Sequence, residues 1–171
     1  MDADVDPGER VRRFLDTEPV VWLSTVRPDG LPHVVPVWFW WDGEVITLFS
    51  KPHAVKVRAL RASGRAMLAL GDAEKDFDIG MLEARADVAD EPVAPPDAFY
   101  AKYRRKLRAA GLDRATFEAT YTQPIRLTPT RYLPWHGRSE PESIRRLRRG
   151  SEHGLLGRLR GIFRALRLLP A

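Results

Sequence analysis

The sequence predicts a mainly β fold of the α+β class: a small six-stranded antiparallel β-barrel with flanking helices and a C-terminal amphipathic helix. Three observations carry this. Six short runs rich in β-branched and aromatic residues (20–26, 31–41, 44–50, 65–71, 81–90 and 124–135) recur between turn signals. The connections between them are either tight or helical, as antiparallel strands with a few covering helices require. The chain has 171 residues, 44% of them apolar, enough for one packed core, and no cysteine to staple it.

Each element has its own reason. Residues 8–16 place Val11, Phe14 and Leu15 on one side of a short helix. "VVWLSTV" (20–26) is an apolar strand, and "RPDG" after it has proline and glycine where a β-turn wants them. "LPHVVPVWFWW" (31–41) and "EVITLFS" (44–50) flank Asp42 and Gly43, a two-residue hairpin signal, so a three-strand meander is expected. "KPHAVKVRALRASG" (51–64) reads as a helix with Pro52 in its first turn and Gly64 as its stop. Strand 65–71 follows. Strand 81–90 alternates Leu82, Ala84, Ala86 and Val88 with Glu83, Arg85 and Asp87. "EPVAPP" breaks the chain, helices follow at 97–111 and 113–121, and the strand 124–135 ends the body. Residues 1–136 form the expected barrel domain, 137–152 a linker, and 153–171 a separate helix.

Charge narrows the function classes. From Pro141 onward eight arginines meet two glutamates, whereas the first 140 residues carry 20 basic and 21 acidic side chains. The basic excess belongs to the tail, so the body has no electrostatic footprint for nucleic acid. In the tail Leu155, Leu159, Ile162, Phe163 and Leu166 fall at helical spacing, with Arg160, Arg164 and Arg167 opposite. Such a helix either docks on the protein or touches a membrane surface or another anionic partner. With no apolar leader at the N-terminus and no bilayer-length apolar run, a cytoplasmic location is expected.

Most catalytic signatures are missing. No phosphate-binding glycine motif and no nucleophile elbow occurs. The four histidines, His33, His53, His136 and His153, have no ligand spacing, and no metal site is expected. Two stretches say more. "FSKPHAVKVRALR" leaves a strand and enters a helix, with Ser50, Lys51 and His53 near its start and Lys56, Arg58 and Arg61 soon after. That pattern suits a bound phosphate and equally suits a solvated surface helix. "HVVPVWFWW" (33–41) is an aromatic strand interrupted at Pro36, where a sheet ladder has no donor. A flat ring on that strand and a phosphate on the next loop would describe a flavin-like ligand. Trp135 and His136 are candidates to line a substrate pocket.

At residues 20–70 the chain resembles the split β-barrel flavin and deazaflavin oxidoreductases related to pyridoxamine phosphate oxidase. The resemblance rests on "LSTVRPDG", "PHVVPVWF", the following "DG", and "KVRAL". It implies a six-stranded split barrel and a homodimer with the cofactor in a cleft between subunits. It assigns Val35, Pro36, Val37 and Trp38 to the cofactor ring, and Ser50, Lys51, Lys56 and Arg58 to its phosphate. The family's usual "RNL" reads Arg58-Ala59-Leu60 here. The implied cofactor is coenzyme F-420, a deazaflavin; FMN is the alternative, and haem or no cofactor the third option. The implied activity is hydride transfer to or from a small organic substrate, against the alternative of a binding module without turnover.

Overall fold

Seven strands, not six, make the sheet of this computed structural model, which describes residues 7–72 and 78–133. The elements are α1 (Pro7–Thr17), β1 (Val21–Val26), β2 (Pro32–Val37), β3 (Trp40–Trp41), β4 (Ile46–Ser50), α2 (Val55–Ser63), β5 (Arg65–Asp72), β6 (Asp78–Val88), α3 (Asp97–Ala109), α4 (Arg114–Thr120) and β7 (Gln123–Leu133). The sheet order is β2-β1-β5-β6-β7-β4-β3, antiparallel throughout. The expected linker at 137–152 and helix at 153–171, with Trp135 and His136, lie outside the described residues.

The seventh strand arises because Trp38 and Phe39 cut the expected strand 31–41 in two. The expected meander therefore does not form. β2 pairs with β1 and β3 pairs with β4, yet β2 and β3 stand at opposite ends of the sheet order. Two residues cannot span a flat seven-stranded sheet, so the sheet curls until its ends meet, leaving a split at Trp38 and Phe39. Phe39 is fully buried there. Its N–H donates to the Tyr103 hydroxyl at 3.0 Å. That hydroxyl in turn faces the carbonyls of Phe39 at 2.9 Å and Pro19 at 3.0 Å. A side chain from α3 thus satisfies backbone groups that a neighbouring strand would otherwise take.

Two local expectations also change. The β3–β4 turn uses four residues, Asp42 to Val45, because the Asp42 carboxylate accepts from the N–H groups of Glu44 at 2.9 Å and Val45 at 2.6 Å. The helix expected from residue 51 starts at Val55. Before it, the Ala54 N–H closes a separate turn on the Lys51 carbonyl at 3.1 Å, and Pro52 sits in that turn. Gly64 ends α2 as expected, with φ 64° and its N–H on the Leu60 carbonyl at 2.8 Å.

The barrel interior is largely aliphatic. Leu23, Leu68 and Leu82 lie side by side across β1, β5 and β6, and Ile46 and Leu48 meet Leu127 and Ile125 across β4 and β7. All seven are fully buried. Each such side chain contributes about 1.5–3 kcal/mol by leaving water. Helix α1 adds Val11, Phe14 and Leu15 to this core, and α2 adds Val57 and Leu60. Gly80 lets α1 approach β6: a Cβ there would stand 3.0 Å from both Val11 and Phe14. A second cluster, of Phe99, Tyr103, Leu107 and Phe117, joins α3 and α4 to the outward rings of Trp38, Trp40 and Phe49.

Candidate functional site

The first part of the site is the open edge of β2. The Arg27 N–H bonds the Leu31 carbonyl at 2.9 Å and closes the β1–β2 hairpin. Hydrogen-bonded pairs then fall at Thr25–His33, Leu23–Val35 and Val21–Val37. Pro32, Val34 and Pro36 occupy the positions between, so their backbone groups face away from β1. β2 is an end strand of the sheet, and its prolines remove nothing from the ladder. Val35 and Val37 are half-buried against the barrel core. The Trp38 ring stacks on Tyr103 at 4.8 Å and 7°, with Phe117 6.5 Å away. Of the four residues assigned to a cofactor ring, only Pro36 has an exposed side chain.

The second part is the turn from β4 into α2. Ser50 is buried, and its hydroxyl donates to the Lys51 carbonyl at 3.3 Å. Lys51 is exposed. Arg58 Nη1 donates to the His53 carbonyl at 2.8 Å, which ties the first turn of α2 back onto the loop. Lys56 is half-buried, and among the described residues no hydrogen bond or ion pair engages it. Burial holds its ammonium below the usual lysine range. A cation partly withdrawn from water with no counter-charge favours an anion beside it. Ala59, where the family's asparagine would stand, is fully buried. Its side of α2 faces the protein interior. Arg61 is engaged elsewhere, at 3.1 Å from Gln123 Oε1 and 3.9 Å from Asp90.

The two parts are not joined by a hairpin, as the sequence suggested. The first lies on β2, at one end of the sheet order, and the second leaves β4, next to the other end, the two being related through the split at Phe39. At His33 and His53 the contacts are made by the main chain, and the buried His33 Nδ1 has no hydrogen-bond partner among the described residues. The His33 carbonyl accepts from Thr25 Oγ1 at 3.3 Å, and the His53 carbonyl holds Arg58. Among the described residues no three His, Asp or Glu side chains are grouped to hold a metal ion, and no helix is long and apolar enough to cross a membrane.

Sequence reasoning missed three features. Tyr103 was visible only as one aromatic on a helix face, with nothing to announce its hydroxyl at the split. The outward face of β1, β2 and β5 carries exposed Trp22, Val34 and Met67, brought together by the pairs Trp22–Pro36, Ser24–Val34 and Ser24–Met67. Strand alternation around Leu23 and Leu68 was the available signal for that face. A groove outside β3, β4 and β7 contains Arg126, whose alternation with Ile125 and Leu127 marks it as outward.

Comparison with known proteins bears on these parts. A family model described as pyridoxamine 5′-phosphate oxidase matches residues 8–136. The solved structure of an F420 reductase is 28% identical, with a TM-score of 0.54, over 71% of this chain and 94% of that one. A conserved hypothetical protein from Mycobacterium tuberculosis is 22% identical, with a TM-score of 0.58, over 81% and 90%. The haem storage protein HutZ from Vibrio cholerae shares the fold at 14% identity and a TM-score of 0.52, over 74% and 92%. No functionally curated protein matches the chain.

Proposed function

The chain belongs to the pyridoxamine 5′-phosphate oxidase family of flavin-binding oxidoreductases, and from that premise we propose that it is an F-420-dependent oxidoreductase acting on a small organic substrate. The observation that carries the reading on this chain is Lys56: a half-buried ammonium without a partner among the described residues, two residues before Arg58 and five after Lys51. The 28% identity to an F420 reductase favours the deazaflavin over FMN.

In this reading Lys56 and Lys51 hold the cofactor phosphate. Arg58, fixed on the His53 carbonyl, keeps the turn in shape around it. Ser50 closes the base of the turn from the barrel side. The open edge of β2 at Pro36 offers its backbone to the ring. Bound reduced F-420 supplies a hydride from a ring carbon, and the protein supplies position and electrostatics. A second copy of the chain covers the apolar face of Trp22, Val34 and Met67 and completes the cleft.

Titration of the purified protein with F-420 and, separately, with FMN tests this by fluorescence. The expected result is saturable F-420 binding by a species of twice the single-chain mass in sedimentation. Replacing Lys56 and Arg58 together by alanine lowers that affinity by more than about tenfold, with the fold intact. Binding of FMN alone overturns the choice of cofactor. Binding of neither overturns the cofactor reading, and unchanged affinity in the double variant overturns the phosphate assignment.

A further inference from the structure

The groove outside β3, β4 and β7 is a separate place from both parts of the cofactor site. Strand register sets Trp40, Thr47 and Arg126 in one lateral row, and Phe49 with Pro124 in the next row on the same face. The segment between β6 and α3 borders the groove and brings Val93, which is 60% exposed. The cavity so formed is about 130 Å³. A buried apolar cavity of about 150 Å³ takes one benzene molecule. The groove therefore has room for one six-membered ring.

The lining has two chemistries. Trp40, Phe49, Pro124 and Val93 give apolar and aromatic surface. Thr47 and Arg126 give a hydroxyl and a guanidinium on the same row. Arg126 is exposed and only loosely opposed: Asp87 lies across from it in the β6–β7 register, and Asp42 lies within reach of its field. Neither carboxylate closes an ion pair with it. A planar group with two anionic oxygens suits a guanidinium that has no ion pair among the described residues and presents a matching pair of donors. The geometry points to a binding site for a single-ring aromatic carboxylate, its ring against Trp40 and Phe49 and its carboxylate on Arg126 and Thr47.

The test is calorimetric or ligand-observed NMR titration of the full chain with benzoate, with benzamide as the uncharged isostere. The expected result is saturable benzoate binding with a Kd on the order of 1 mM, as a ligand of this size allows. Benzamide binds about tenfold or more weaker, because it lacks the charge-assisted pair. Arg126→Gln removes the difference between the two, and Ala94→Phe, which fills the groove, abolishes both. The Lys56→Ala, Arg58→Ala double variant binds benzoate as the wild type does, so this result stands apart from the fate of the cofactor reading. Absence of saturable binding, equal affinity for the two ligands in the wild type, or loss of benzoate binding in the α2 double variant would each overturn the proposal.

Discussion

The barrel interior and the cluster under α3 and α4 both have buried centres, yet they are built in opposite ways. The interior is largely aliphatic, filled by every second residue of paired strands and held by ladders that run on with one register shift at Glu83 and Ala84. The outer cluster is aromatic, and α3 and α4 reach the sheet through long rings: Phe49 and Phe99 meet at 5.3 Å, Trp38 and Tyr103 at 4.8 Å. One region owes its order to backbone pairing. The other owes it to side chains, with the Tyr103 hydroxyl as its tie to the main chain of the barrel. The cluster should therefore open locally while the barrel stays folded.

The sharpest way to break that comparison is a cavity in each region. Leu82→Ala in the barrel is expected to cost about 4 kcal/mol in denaturant unfolding and to lower amide protection in every strand. Phe117→Ala is expected to speed exchange in α3 and α4 while β5 and β6 keep their protection. If β5 and β6 lose protection equally, the two regions are one cooperative unit.

Removing the tie comes next in size. Tyr103→Phe keeps the ring and leaves the buried Phe39 N–H without an acceptor, at a cost of about 2 kcal/mol. Burial pushes this phenol up to about 12 from its ordinary value near 10. Its stabilising effect is therefore complete below pH 10 and lost as pH rises towards 12. Melting temperatures of the wild type should fall across that window more steeply than those of Tyr103→Phe; parallel profiles would exclude Tyr103 as the titrating group.

The smallest effect belongs to the rim of the cluster. Tyr100 donates to Glu118 at 3.0 Å, and Arg114 joins Glu118 to Asp97 at 2.9 and 2.7 Å. Tyr100→Phe is expected to cost about 1 kcal/mol or less, confined to α3 and α4. A loss as large as that of Tyr103→Phe would remove the distinction between tie and rim.

The same contrast decides how much was legible beforehand. The alternation of Leu82, Ala84, Ala86 and Val88, and the stop at Gly64, depend on neighbours in sequence and read out directly. The break at Trp38 and Phe39 depends on a tyrosine 64 residues away, and no local pattern announces it. The stacking of the Trp38 ring on Tyr103 was hidden for the same reason, since it needs the helix that covers it to be placed. At the turn into α2 the residue types were readable, but the sequence put the helix start four residues early and gave no sign that Lys56 is half-buried without a partner among the described residues. Arg126 was hidden because a lone arginine in a strand is ordinary until register sets Trp40 and Thr47 beside it.

The spacing of Pro32 and Pro36 has an effect outside the single molecule. Along the free border of β2 the carbonyls of Pro32, Val34 and Pro36 point outward, and the Val34 N–H is the lone donor among them. An approaching strand from another chain presents donors and acceptors in equal number and finds mostly acceptors, so this border is a poor seed for polymerisation. A small heterocycle bringing its own N–H groups meets no such obstacle, and the border that rejects a polypeptide remains open to it.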